Sequence, residues 1–191
     1  YEALGLPWIS PELRENRGEI EAAADGTLSE LLTVNDMCGD LHTHTTRSDG
    51  RASREQMVDA AVGRGYEYYA VTDHASGPGM VGGIGLSDDE LREQLETIET
   101  ARETRGDEIE LLAGVETNID AEGDLSTGDE ILTELDVVVA SPHTALGQER
   151  EAATERLIRA VNHQSVDVLG HPTGRRINER PGLDIDIERV A

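Results

Sequence analysis

Gly39-Asp40-Leu41-His42-Thr43-His44-Thr45-Thr46-Arg47-Ser48-Asp49-Gly50 is the stretch on which the reading of this chain turns. Met37–Leu41 has the composition of a short strand, and His42 and His44 follow it two residues apart. Alternate side chains along an extended chain share a face, so the two imidazoles point the same way. Two neutral imidazoles side by side suit one divalent ion such as zinc, manganese or iron. Asp49, in a turn ending at Gly50, offers a hard oxygen donor to the same region. A His-x-His by itself is a weak signal, more often a pair of surface or capping histidines, so the positions of the other histidines decide its meaning.

Those positions follow from the alternation of elements downstream. Ser53, with Gln56 three residues on, makes a capping box ahead of the apolar stripe Met57, Val58, Ala61 and Val62, which Gly63 and Gly65 end. Tyr68–Thr72 reads as the next strand and leads into Asp73-His74. Gly77–Gly85 holds five glycines and reads as a flexible loop. Ser87 and Glu90 cap a long helix with Leu91, Leu95 and Ile98 at helical spacing. Ile109–Val115 is a third strand, ending at Glu116, and Asp136–Ala140 a fourth, ending at Ser141-Pro142-His143. Gln148–Val161 is a helix, and Val166–Leu169 a fifth strand ending at Gly170-His171-Pro172.

This alternation predicts a parallel α/β sheet, open or closed. His42, His44, His74, Glu116, His143 and His171 all fall at or just after the C-terminal ends of predicted strands. In a (βα) barrel those ends converge on one rim, where active sites form. Core histidines would instead lie within strands or on apolar helix faces. The sixth histidine, His163, trails a helix and reads as a surface residue. The pattern predicts a multinuclear metal site.

Composition narrows the setting. The chain has 191 residues, enough for one domain with a full core, and 37% hydrophobic residues support a folded rather than disordered polypeptide. Its net charge is −24, and all 16 cations are arginine. The acids interleave with regular apolar patterns, which argues for an acidic, solvated surface on a folded domain. Such a surface suits a salt-rich cytosol, where ~1 M ions shorten the Debye length to about 3 Å. The single cysteine, Cys38, cannot form an internal disulfide and is expected as a buried small side chain of a cytoplasmic protein. No apolar run approaches a membrane span and no signal pattern opens the chain.

Residues 1–36 differ from the rest of the chain. Ser10-Pro11 reads as a helix start, Arg17–Ala24 as a short acidic helix stopped near Gly26, and Leu28, Leu31 and Leu32 as a brief apolar face. The segment is expected to connect to, and pack against, a neighbouring domain.

Taken together, His42-Thr43-His44, Thr72-Asp73-His74, Glu116, Pro142-His143 and Gly170-His171-Pro172 resemble the motifs of the polymerase-and-histidinol-phosphatase (PHP) phosphoesterases. The resemblance covers residues 37–191 and implies a distorted (βα)7 barrel binding up to three divalent metals, manganese or zinc. Leu4-Gly5-Leu6-Pro7 and the run from Pro11 to Ala23 are similar to the segment that joins the polymerase core to the PHP domain in bacterial and archaeal family X DNA polymerases. That likeness implies manganese-dependent 3′–5′ degradation of DNA or processing of 3′ ends and abasic sites. It also makes residues 1–36 a linker from a polymerase core, and residues 37–191 an incomplete PHP domain.

The same resemblance implies roles for single residues. His42, His44 and Glu116 would hold a first metal, and Glu116 would bridge to a second held by His143 and His171. Asp49 and His74 would hold a third, and Glu116, His143 and Asp49 would form the catalytic set. The nucleophile would be water, in keeping with the lack of a distinctive serine or cysteine motif. The family's closing Asp-x-His is not found before Ala191, which is expected if the chain is a C-terminally truncated piece.

Arg47, Arg51, Arg175 and Arg176, with Arg180 nearby, are candidate phosphate ligands at the metal rim. Pairing with Glu55, Glu179 or Asp184 is the alternative for these arginines. No aromatic interleaving or recognition helix marks base-specific contacts. Two other functions stay open at this point: a small-molecule phosphatase of the histidinol-phosphate type, and a non-catalytic module supporting a polymerase.

Overall fold

The computed structural model describes residues 1–14, 16–77, 84–176 and 178–191. The chain divides into two compact units, Tyr1–Met37 and Cys38–Ala191.

In the first unit, Glu19–Asp25 forms helix α1, and Gly26 ends it in the left-handed region at φ 71°. The helix expected from Ser10-Pro11 amounts to one 3-10 turn, Pro11–Leu13, and Ser10 makes no side-chain cap. Arg14 explains the early stop. Its backbone leaves helical geometry at ψ 56° while its guanidinium binds the Ile9 carbonyl at 2.8 and 3.0 Å. A nucleus of one turn is too short to propagate against such a competitor. The expected apolar face is open, with Leu32 86% exposed.

Among the described residues, the second unit contains five strands: β1 (Gly39–Asp40), β2 (Tyr68–Val71), β3 (Glu110–Asn118), β4 (Val137–Ser141) and β5 (Val168–Leu169). All neighbouring pairs are parallel and the spatial order equals the chain order. Helices α2 (Arg54–Gly63), α3 (Asp88–Arg105), α4 (Asp129–Leu132), α5 (Arg150–Val161) and α6 (Ile187–Val190) fall between and after them. Parallel neighbours joined by helical crossovers in strict sequence order make a curled α/β sheet of the half-barrel kind. The predicted fold class is therefore present. Both predicted capping boxes close: Gln56 N donates to Ser53 Oγ at 3.3 Å and Glu90 N to Ser87 Oγ at 3.4 Å.

The strands are buried on both faces. Tyr69, Val71, Leu111 and Ala113 pack against Val58 and Ala61 of α2 and Ile98 of α3. Alternate residues turn inward, so Ala70, Leu112, Val137, Val139 and Val168 line the concave side with Leu41. Leu157 and Ala160 of α5 pack with Ile119, Ala140 and Val190.

Several boundaries differ from the sequence reading, β5 among them, which is two residues long rather than four. β1 is two residues long, and Cys38 beside it is exposed rather than buried, because it lies ahead of the covered part of the sheet. β3 runs on to Asn118, three residues past the predicted end, because β4 pairs with it from Gly114 to Asn118. Helices α4 and α6 have four residues each, too few to show a period. Of the glycine loop 77–85, residues 78–83 lie outside those described. No helix among the described residues is long and apolar enough to cross a membrane.

Candidate metal centre

Beyond β1 the chain continues extended and is tied to β2 by every second residue. Thr43 N donates to Thr72 Oγ1 at 2.8 Å, Thr43 Oγ1 donates to the Ala70 carbonyl at 2.6 Å, and Thr45 N donates to Asp73 Oδ1 at 2.7 Å. With Thr43 and Thr45 buried toward β2, the alternating His42 and His44 turn the opposite way, into the concave face.

Glu116 stands at the centre of that face. It lies inside β3, paired with Val139, rather than at the strand's end, and is 1% exposed. One carboxylate oxygen, Oε1, faces His42 Nε2 at 3.2 Å, His143 Nε2 at 3.4 Å and His171 Nε2 at 2.8 Å. The other, Oε2, faces His44 Nε2 at 3.4 Å and His74 Nδ1 at 2.8 Å. The five imidazoles form a closed ring around it, with successive centroids 4.3 to 5.8 Å apart from His42 through His44, His74, His143 and His171. Asp49 caps one side, 3.7 Å from His44 Nδ1 and 3.6 Å from His74 Nε2.

Gly170 lets β5 close this ring. A Cβ there would stand 2.3 Å from Ser141 Oγ and 3.3 Å from His42 Cε1, so a side chain would keep β5 from approaching this closely. Gly50 does the same for the Asp49 turn, where a Cβ would meet the His44 carbonyl at 2.4 Å. His143 is held from behind: its backbone N–H donates to Asn118 Oδ1 at 2.9 Å. The buried Arg156 of α5 donates to the carbonyls of Thr144 and Ile119, which adjoin those two residues.

The donor set fits divalent cations. His44 Nδ1, His74 Nδ1, His143 Nδ1 and both Glu116 oxygens are buried yet make no hydrogen bond, close as they are. Buried polar atoms without partners are costly, and a carboxylate shared by several neutral imidazoles removes that cost by coordinating metal. Among the described residues, three groups have donor atoms within 4.8 Å of one another: His42–Glu116–His171, His44–Asp49–His74 and His74–Glu116–His143. In these groups His42 joins His171 and His44 joins Asp49, because the curl of the sheet brings β5 round to the segment after β1, while His42 and His44 both also face Glu116.

Electrostatics agree with this arrangement. Burial pushes the Glu116 carboxyl up, but His143, His171, His42 and His74 outweigh it and hold it far below the carboxylate range. Glu116 raises His171, and raises His74 against the opposing effect of burial. Burial, and then the neighbouring His74, lower His44.

A cavity of about 620 Å³ opens over the ring, and Pro142, Gly174, Arg175, Arg176 and Arg180 complete its wall. Arg47 and Arg51 are not among its lining residues. Arg47 lies 3.9 Å from Glu93, and Arg51 is exposed. Both follow His44 in a turn that directs Asp49 inward and its flanking arginines outward. Arg176 pairs with Glu179 at 3.6 Å, and Arg180 donates to the Gly174 carbonyl. His163 lies away from the ring, 3.4 Å from Asp129.

Sequence reasoning missed Thr43, Thr45, Asp73, Asn118 and Arg156 as parts of the site's support. The alternation that marked the histidines also marks the two threonines. Asn118 and Arg156 carry no local signal, since the bonds by which they brace the site reach partners 12 to 37 residues away.

Comparison with known proteins supplies the context. Residues 40–184 match the PHP domain family. The DNA polymerase/3′-5′ exonuclease PolX of Bacillus subtilis is 37% identical over 190 residues, which take in 100% of this chain and 32% of that protein. A probable phosphatase of Caldanaerobacter subterraneus is 37% identical over 158 residues, 79% of this chain and 56% of its own length. The chain thus spans about a third of one relative and somewhat over half of the other. The crystal structure of histidinol phosphate phosphatase from Lactococcus lactis, complexed with zinc, L-histidinol and phosphate, superposes with a TM-score of 0.50 at 24% identity. It covers 70% of this chain and 57% of that one, a likeness that bears on the fold.

Proposed function

The chain belongs to the PHP-domain family, and from that membership we propose that it is the metal-dependent phosphoesterase part of a family X-type DNA polymerase, hydrolysing phosphodiesters at DNA 3′ ends. The observation that carries the chemistry is the buried Glu116, whose two oxygens face five imidazoles without a hydrogen bond. Divalent cations, manganese or zinc, held by these donors supply Lewis acidity toward a phosphoryl group and lower the pKa of water.

The chain's own residues then have distinct tasks. Glu116 presents one oxygen to the His42, His143 and His171 side and the other to the His44 and His74 side, so it joins neighbouring donor groups. Asp49 adds negative charge between His44 and His74. Arg175 is the strongest candidate for holding a phosphate oxygen. It lines the cavity, while Arg176 is occupied by Glu179 and Arg180 by the backbone of its own loop. A guanidinium binds phosphate oxygens through paired N–H donors.

The DNA reading rests on the polymerase relative, whose similarity extends over the whole chain, where the phosphatase covers 79% of it. On this reading residues 1–36 link the PHP domain, residues 37–191, to a polymerase core in one cytoplasmic polypeptide, and the −24 charge suits a salt-rich cytosol. A small-molecule phosphatase of the histidinol-phosphate type is the second reading, favoured by the 37% identity to a probable phosphatase. The two separate in one assay with manganese, run on this chain and on its full reading frame. The substrates are 5′-labelled single-stranded DNA and histidinol phosphate. A ladder shortening from the 3′ end is expected. Phosphate release from histidinol phosphate with intact DNA would overturn the DNA reading in favour of the second.

A further inference from the structure

Asp73 is a fully buried carboxylate that faces away from the cavity and is no member of the three donor groups. Its side chain accepts three hydrogen bonds, all from the segment that carries Asp49. Thr45 N donates to Oδ1 at 2.7 Å, Ser48 Oγ donates to the same oxygen at 2.5 Å, and Thr45 Oγ1 donates to Oδ2 at 2.7 Å. Thr45 is also fully buried and organises the turn around itself. Its carbonyl accepts from Ser48 N at 3.1 Å and Gly50 N at 2.9 Å, and its hydroxyl accepts from Arg47 N at 3.1 Å.

We infer that Asp73 is a positioning residue that assembles the His44–Asp49–His74 group. It is joined to all three donors. His74 is its neighbour in the chain, His44 precedes the Thr45 whose N–H and hydroxyl it grips, and Asp49 follows the Ser48 whose hydroxyl it grips. The other two groups both contain Glu116, and one of them contains His74, but neither takes a donor from the turn 45–50. Loss of the Asp73 carboxylate therefore frees Asp49 first. Groups that orient metal ligands affect affinity by about 10- to 100-fold.

The inference rests on the metal reading of the site, and manganese binding tests the two separately. Manganese alone is titrated into wild-type protein and into Asp73→Ala, Asp73→Asn, Ser48→Ala and Asp49→Ala, followed by calorimetry and by the spin-resonance signal of free manganese. In Asp73→Ala, about 10- to 100-fold weaker binding is expected for one class of site. It should be the class that Asp49→Ala removes, and a variant carrying both Asp49→Ala and Asp73→Ala should bind no more weakly than Asp49→Ala alone. Asp73→Asn keeps an acceptor for Thr45 N and Ser48 Oγ, and its amide can donate to the Thr45 hydroxyl, so binding close to wild type is expected. Ser48→Ala, which removes one of the three bonds, should weaken the same class by less than Asp73→Ala. Should Asp73→Ala fail to fold, Ser48→Ala and Asp73→Asn carry the test. Equal weakening of all classes, wild-type binding in Ser48→Ala, or an Asn variant as poor as Ala would each overturn the inference. No manganese bound by the wild-type protein would overturn the metal reading and the inference with it.

Discussion

Replacing Glu116 with Gln exchanges one carboxylate oxygen for an amide nitrogen and removes the negative charge at the centre of the imidazole ring. The side chain keeps its shape, so packing inside β3 is little changed. The amide nitrogen carries only donor hydrogens and cannot ligate a cation, and the remaining oxygen is a neutral carbonyl. Two of the three donor groups contain Glu116, while His44–Asp49–His74 does not. Because Glu116 is 1% exposed, the lost charge was screened little by water. Removing one partner from a buried charged pair costs about 3–5 kcal/mol. Manganese affinity at the two Glu116 groups should thus fall by roughly two to three and a half powers of ten, taking 1.4 kcal/mol per tenfold. The third group should stay near wild type. Calorimetric titration with manganese measures both classes, with circular dichroism as the check on folding. Hydrolysis of 3′ ends, assayed on the same preparations, should disappear. An unchanged isotherm in a folded Glu116→Gln protein would refute the central role given to this carboxylate.

Other variants test separate parts of the reasoning. His171 belongs to one donor group only, so His171→Ala should lose one class of manganese site, whereas His74→Ala, which belongs to two, should weaken two. Arg175→Ala should raise KM for DNA with little change in kcat, and Arg51→Ala, outside the cavity wall, should leave both unchanged in steady-state assays. With a net charge of −24, the melting temperature should rise as potassium chloride increases from low to molar concentration, because screening relieves carboxylate repulsion. In chelator, pH should act with a definite sign. Glu116 holds His171, and His74 against burial, above the ordinary imidazole value. Their contribution to stability is complete below the unfolded value of about 6.5 and is lost as pH rises through the folded values. Chelated protein should melt lower at alkaline than at mildly acidic pH. Saturating manganese, which requires neutral imidazoles, should reverse that order in the same melting experiment.

The sequence by itself determined the five strands of the second unit, the helices α2, α3 and α5, and their order. The caps Ser53–Gln56 and Ser87–Glu90, the apolar stripes behind them and the strand-like runs are signals contained within a few residues. Alternation of such elements leaves few arrangements other than a parallel sheet, and a parallel sheet puts residues that follow its strands on one rim. That is why His42, His44, His74, His143 and His171 could be picked out from the chain alone. Tertiary structure alone decided how these donors are grouped. Which imidazole meets which depends on strand register and curl, as in the pairing of Glu116 with Val139 and the approach of Gly170 to His42. It also decided that Glu116 sits inside a strand, that Arg47 and Arg51 turn outward and Arg175 inward, and that Asp73 grips the Asp49 turn. The physical reason is one of range. Periodicity and capping act over one or two turns of chain, whereas these contacts join residues 23 or more apart in sequence and form only once the sheet has set their spacing.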